Sequence, residues 1–379
     1  MYRNFVNPIR ELADKGRLGG ILLIACTVIS IFISNSIWRE GYINLWQSHF
    51  KVGVLEKSIE HWINDGLMVV FFLLVGLEIK RELLVGELSD IKKSMLPVIA
   101  AVGGMIVPAV IFAAFNYDHQ SISGWAIPTA TDIAFSLGIL SFLGNRIPFA
   151  LKVFLTALAI IDDLGAIIII AVFYTSALAK DYLLYSVLIT LILFLLNKFK
   201  VKILAIYLLL GLILWYCILK SGVHATIAGV ILAFTIPLTR LKELEHYLQF
   251  PVHYIVIPLF ALANTAIIIT AQSFPGLGSI LGLGIILGLL IGKPLGIYAI
   301  CYIAIKRKIC KLPEGVSFKH ILGAGMLAGI GFTMSIFIAN LSFNNADTLN
   351  IAKLAVIAGS LLSALGGIFF LRKIKAEKI

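Results

Sequence analysis

Apolar residues run along this chain in long blocks, and the polar positions fall mainly in the short connections between them. A helix that crosses a membrane needs about 20 mostly apolar residues. Twelve blocks approach that length, centred near Ala25, Phe71, Ile106, Leu137, Ile167, Leu191, Leu210, Gly229, Leu259, Leu290, Gly331 and Leu361, and the sixth and eighth are short. The pattern predicts an all-α polytopic membrane protein of about 12 transmembrane helices, forming a single membrane domain over residues 1–379. The first block, from about Leu18 to Ile33, is followed by no small-x-small cleavage signature and reads as a retained span. An even number of spans puts both termini on one side.

Composition and charge agree with this. The chain is 60% hydrophobic and only 13% charged, against about 25% charged residues in soluble domains. The net charge of +11 would suit nucleic acid, but the placement of the basic residues gives a different explanation. With a cytoplasmic N-terminus, 24 of the 31 Lys and Arg fall in connections on the cytoplasmic side, Lys80 among them, six fall outside, Lys353 among them, and Lys293 belongs to neither. That bias is the positive-inside rule, so no nucleic-acid partner is called for. No nucleotide-binding loop or soluble catalytic domain occurs, which argues against an ATP-driven pump. Cys26, Cys217, Cys301 and Cys310 lack metal-ligand spacing and read as free thiols. The longest outer connection, about Trp38 to Glu60, either forms a short hairpin around Gly53, whose edge could pair with a second copy, or has no regular structure.

The chemistry lies in the few charges inside the blocks. Asp162 and Asp163 sit in a stretch, Phe154 to Tyr174, with no other charge. One ionisable group at the centre of a membrane helix costs roughly 2.5–3.5 kcal/mol even on lenient scales, so an adjacent pair needs a function. Asp132 follows Ile127-Pro128-Thr129-Ala130-Thr131. Pro128 removes a backbone donor, while two threonines and an aspartate can cap a restarted helix. Such a break is tolerated only where it lines protein or water, and a simple cap near the interface is the alternative. Lys293 lies about twelve residues from either end of Leu281–Ile305, some 18 Å of helix, too far for its stem to reach the headgroups. It must pair with a carboxylate, meet backbone carbonyls or stay neutral. Gly284, Gly288, Gly292 and Gly296 recur every four residues around it, a face on which another helix can pack closely. The eleventh block is interrupted by Gly323, Gly325, Gly329 and Gly331. A Pro/Thr-interrupted fourth span and a Gly-interrupted eleventh, in corresponding halves, point to a transporter site built from broken helices.

Carboxylate oxygens with hydroxyls or carbonyls suit a hard cation. Buried carboxylates can titrate near neutral pH, because burial and a neighbouring cation act in opposite directions. Protons and a metal ion then compete for the same oxygens, which is sufficient for exchange by alternating access. If two carboxylates each release a proton for one monovalent cation, charge moves and exchange is electrogenic. Adjacent helical residues point about 100° apart, so one aspartate can face a cavity while the other meets a neighbouring helix. Two rivals are an intramembrane aspartyl-type enzyme, using Asp132 with Asp162 or Asp163, and a cation channel. The enzyme reading leaves Lys293 and the paired interruptions without a role, and coupled proton movement would separate the channel.

Ile127-Pro128-Thr129-Ala130-Thr131-Asp132-Ile133-Ala134-Phe135, Ala157 to Ile167 with its Ile160-Ile161-Asp162-Asp163-Leu164-Gly165, Lys220-Ser221-Gly222-Val223-His224-Ala225-Thr226, Ile291-Gly292-Lys293-Pro294-Leu295-Gly296 and Gly329-Ile330-Gly331-Phe332-Thr333-Met334-Ser335 resemble the NhaA family of sodium/proton antiporters. The resemblance runs from about residue 5 to 370, and this family is among the transporters whose sites are built from paired broken helices. It implies a twelve-helix inverted-repeat fold in the bacterial inner membrane with cytoplasmic termini. Spans 4 and 11 would be interrupted and cross, in a core including roughly 95–175 and 281–372, with the remaining helices forming an interface panel. The implied activity is pH-regulated, electrogenic exchange of cytoplasmic Na+ and Li+ for external protons, with no enzyme activity and no cofactor beyond the transported ions. By that resemblance Asp162 and Asp163 bind Na+ and protons, with Thr131 nearby. Asp132 and Lys293 balance the helix ends at the crossing, and Lys293 is also able to pair with Asp162. Glu78, Glu82, His224 and Glu245 with His246 match a pH-response region, although a solvated cytoplasmic face is an alternative for the loop charges and His224 falls on the outer side. The stretch Leu238–Gln249 is shorter than is usual in the family, and Gln249 stands where the family has a histidine. Membrane lipid surrounds the protein, and residues 45–58 would form a homodimer contact.

Overall fold

Inside lipid a backbone polar group finds no water, so the chain must satisfy its own hydrogen bonds within helices. The structure, a computed structural model, is accordingly almost wholly helical. It describes residues 3–53, 55–144, 147–175, 178–271 and 273–374, without the side chains of 3–17, 91 and 92. In chain order the main elements are α1 (Arg3–Ser34), α2 (Arg39–Gln47), β1 (His49–Val52), β2 (Leu55–Ser58), α3 (Ile59–Val85), α4 (Ile91–Asn116), α5 (Ile133–Phe142), α6 (Phe149–Phe173), α7 (Lys180–Lys198), α8 (Leu204–Ser221), α9 (Ile227–Thr235), α10 (Leu238–Asn264), α11 (Ile280–Lys306), α12 (Phe318–Ala328), α13 (Phe332–Ser342) and α14 (Ala346–Lys373).

Among the described residues eight helices are long and apolar enough to cross a membrane, and up to eleven spans result if each of three bent pairs counts as one. Of the blocks that read as spans, the eighth is the exception. α9 has 9 residues, about 13.5 Å of helix, against a hydrocarbon thickness of about 30 Å. The outer connection is a hairpin, with β1 antiparallel to β2 in the register His49↔Ser58 to Val52↔Leu55. Gly53 turns it at φ +60°, a conformation glycine adopts without steric cost. Ahead of the hairpin lies a helix where the sequence pattern predicts only loop. α2 bends 115° away from the span before it. Tyr42 and Trp46 stand one turn apart on it in an edge-to-face pair at 5.6 Å, and the Tyr42 hydroxyl donates to Leu262 O at 3.0 Å.

The chain divides into two compact units, Met1–Ile24 with Asp90–Ala166 and Ile267–Ile379, and Ala25–Ser89 with Ile167–Ala266. In the first unit α4 packs on α11 along the glycine face. Gly284 lies against Phe112, Gly292 against the Pro108 backbone and Gly296 against Gly103, while Gly288 meets Pro128. Residues Gly288–Gly292 form a π-turn immediately before Lys293. In the second unit Val252–Val256 form another before Ile257. Each ends two residues before a proline, Pro294 or Pro258. Proline gives no N–H and crowds the carbonyl four residues back, and the widened turn absorbs that mismatch.

The second unit is built around Leu73, Leu77, Tyr207, Leu214, Ile218, Leu232 and Ala233, all buried. Lys80, which the charge pattern assigns to a loop, is buried in α3. Its ammonium donates to Phe234 O at 2.7 Å and to Ile236 O, while Asn197 donates to Thr235 O at 2.6 Å. Three consecutive carbonyls at the end of the short helix α9 are thereby satisfied, which is where a cation suits the helix dipole. On α7, Leu184, Val187, Leu188, Leu191 and Phe194 are all exposed. An apolar surface of this kind is a liability in water and is the solvent-facing surface in lipid. In the first unit Lys353, which the charge pattern places outside, is likewise buried, within α14.

Candidate ion-binding site

Two of the bent pairs make the site. Residues Gln120–Thr129 and α5 meet at 42°, and α12 and α13 at 47°. In the first pair, Ala130 and Asp132 are extended, at ψ 153° and 105°, so the carbonyls and amides beside them lose their helical partners. In the second, Gly329 and Gly331 flank Ile330. Each break supplies partners to the other. The Asp132 amide donates to Ile330 O at 2.6 Å, the Thr131 hydroxyl to Ala328 O at 2.8 Å and the Ser136 hydroxyl to Leu327 O at 2.8 Å. In return, the Ser335 hydroxyl donates to Ile127 O at 2.7 Å.

Asp132 caps two helices with one carboxylate. Its Oδ1 accepts from the Phe135 amide at 3.0 Å, in the first turn of α5. Its Oδ2 accepts from the Thr333 amide at 3.2 Å and hydroxyl at 2.6 Å, in the first turn of α13. Two positive helix ends thus converge on one negative charge. Lys293 takes the opposite role, since its ammonium donates to Thr129 O, where the preceding helical turn ends.

The same ammonium donates to Asp162 Oδ2 at 2.6 Å, with both side chains fully buried. Thr131 Oγ1 lies 2.7 Å from that oxygen. Asp162 Oδ1 is buried and has no hydrogen-bond partner among the described residues, so one oxygen of this carboxylate is fully occupied and the other faces no donor. Asp163, the next residue of α6, is 2% exposed. Thr131, Asp132, Asp162 and Lys293 are therefore joined through hydrogen bonds and the two breaks, with Asp163 adjoining in α6. Of the hydroxyls that complete this network, Thr333 and Ser335 stand in a motif given above without an assigned role, and Ser136 is one that sequence reasoning misses. A Ser or Thr within a turn of a break in an otherwise apolar span is the signal that could have found all three.

The remaining sequence-named residues lie elsewhere. Arg81 forms ion pairs with Glu82 at 2.8 Å and with Glu245 at 3.1 Å. Glu78 is on the same face of α3, three and four residues from Arg81 and Glu82. Glu78 and Glu245 are both buried, so they are not part of a solvated face, whereas His246 is exposed. His224 lies in the connection between α8 and α9, its ring 2.5 Å from Tyr174 O. Burial pushes its pKa below the usual histidine value, against the Tyr174 carbonyl and the Asp65 charge, which act to raise it.

Comparison with known proteins follows the same lines. The sodium proton antiporter of Methanocaldococcus jannaschii aligns over 99% of this chain and 100% of its own with a TM-score of 0.51, at 16% identity, a similarity of fold. The Na(+)/H(+) antiporter NhaA of Citrobacter koseri is 52% identical over 368 residues, 93% of this chain and 95% of that protein. The NhaA of Vibrio cholerae is 50% identical over 96% of this chain and 97% of its own length. NhaA 2 of Clostridium beijerinckii is 48% identical over 99% and 96%. The model of the family described as Na+/H+ antiporter 1 matches residues 10–371, and the chain belongs to that family.

Proposed function

We propose that this protein is a secondary transporter that exchanges cytoplasmic Na+, and Li+, for external protons by alternating access, and that it is not an enzyme. The observation that carries the reading is the buried set Asp162, Lys293 and Thr131, in which one carboxylate oxygen meets the Lys293 ammonium and the Thr131 hydroxyl and the other meets no donor. A small hard cation is bound by oxygens of this kind, here Asp163, Asp162 and Thr131. Protons compete for the same carboxylates, and Lys293 pairs with Asp162 in part of the cycle. Sodium is cargo, so no resident metal or cofactor is required.

The fold that suits this cycle has twelve spans, with α9 completing the count as a short eighth, and two interrupted spans, the fourth and eleventh, crossing at Asp132. The interlocking of the breaks Thr129–Asp132 and Gly329–Gly331 supports that arrangement. One membrane domain contains it, with a core including roughly residues 95–175 and 281–372 and a panel from the rest. The excess of basic residues on one set of connections supports a bacterial inner-membrane location with both termini cytoplasmic. Glu78, Glu82 and Glu245 around Arg81 form a compact acidic cluster suited to a pH response, and His224 is a second titratable position. The exposed outer strand of the hairpin, within residues 45–58, is an edge on which a second copy can add.

The test is sodium-induced collapse of an imposed pH gradient in proteoliposomes. Wild type collapses it on addition of Na+, and Asp163→Asn does not. Exchange at the normal rate in that variant would remove Asp163 from the site.

A further inference from the structure

α14 runs behind the second break. Its Ser360 Oγ accepts from the Phe332 amide at 3.2 Å and so caps the start of α13. One turn later stands Ser363, 1% exposed, whose hydroxyl has no hydrogen-bond partner among the described residues. It is aimed at the break, since a Cβ built on Gly329 would sit 2.8 Å from Ser363 Oγ. Burying a hydroxyl without a partner costs free energy, and Ala at this position would avoid that cost.

The group that needs a second donor is close by in the chain. Thr131 has one hydroxyl proton and two acceptors in reach, Ala328 O and Asp162 Oδ2. Whenever Thr131 gives its proton to Asp162, or turns its oxygen to an ion, the carbonyl end of α12 loses a donor. We infer that Ser363 is a positioning residue for exchange, supplying its unused proton to the carbonyl end of α12, residues Met326–Gly329, in the state where Thr131 is turned to the carboxylate or the ion. Gly329 leaves room for that approach, because any side chain there would fill the space in front of the hydroxyl. Two hydroxyls one turn apart on α14 thus serve the two sides of one break, Ser360 the amide end of α13 and Ser363 the carbonyl end of α12. This rests on the exchange reading above.

The test uses the full chain in proteoliposomes, with thermal stability measured on the same preparations. Ser363→Ala is expected to lower the maximal sodium-driven proton flux about fivefold, the factor that one hydrogen bond is worth. The half-saturating Na+ concentration rises by up to the same factor, because the ion-bound state loses that bond, and the melting temperature stays unchanged or rises. Ser363→Cys, which keeps a donor in nearly the same volume, recovers part of the flux. A wild-type flux in Ser363→Ala overturns the inference, as does a loss accompanied by a lower melting temperature or left unrelieved by Cys. Absence of sodium-driven flux in the wild type would instead overturn the exchange reading itself.

Discussion

Lys293 and Asp162 face each other in full burial at 2.6 Å, so their partnership is best tested by stranding one of them. Breaking a buried pair by removing one member costs roughly 3–5 kcal/mol, because the remaining charge loses its compensation. Lys293→Ala should therefore lower the melting temperature markedly and impair exchange together. Adding Asp162→Asn removes the stranded charge, and the double variant should regain part of the lost stability while remaining inactive. A double variant as unstable as Lys293→Ala would show that the lysine acts through packing and the Thr129 carbonyl instead. At His224 the sign of the pH effect follows from burial. The folded ring has the lower pKa, so protons bind the unfolded chain more readily, and stability falls as pH drops below about 6.5. His224→Gln should flatten that loss in melting curves recorded between about pH 5 and pH 8.

At the scale of elements, the two breaks are held by Asp132, whose carboxylate serves the first turns of both α5 and α13. Loss of one helix cap costs about 0.5–2 kcal/mol, so Asp132→Ala should cost about 1–4 kcal/mol for two. Asp132→Asn keeps one acceptor oxygen and should recover part of that stability, measured by thermal unfolding in detergent. The positions of these breaks are legible in the sequence, because Pro128 and the glycines around Ile330 are local signals of interrupted helix. Their mutual capping is not, since Thr131 with Ala328 and Ser136 with Leu327 are separated by 197 and 191 residues, and nothing in a local pattern specifies such a pairing. The glycine face of α11 announces a close neighbour without naming α4. Lys80 looks like a loop cation because its sequence neighbours are charged, whereas its helix continues to Val85 and its ammonium turns inward to α9. α2 escapes notice for a similar reason, as a nine-residue helix carries too few turns for its periodicity to stand out from a loop.

For the whole molecule, the question is how many charges cross per cycle. Asp162 and Asp163 are adjacent buried carboxylates in one helix, and a sodium ion that engages both replaces up to two protons. Two protons exchanged for one Na+ moves one net charge, and each charge is worth about 2.3 kcal/mol per 100 mV of membrane potential. An inside-negative potential of about 100 mV should then change the sodium gradient held at equilibrium by about fiftyfold, because every 1.36 kcal/mol is a factor of ten. One-for-one exchange moves no net charge, and its equilibrium is indifferent to the potential. Proteoliposomes clamped with potassium and valinomycin, at fixed pH on both sides, separate the two cases directly. If the sodium distribution does not respond to the clamp, only one of the two aspartates releases its proton in the cycle. Asp162 would then remain tied to Lys293 throughout, and Asp163 alone would alternate between proton and ion.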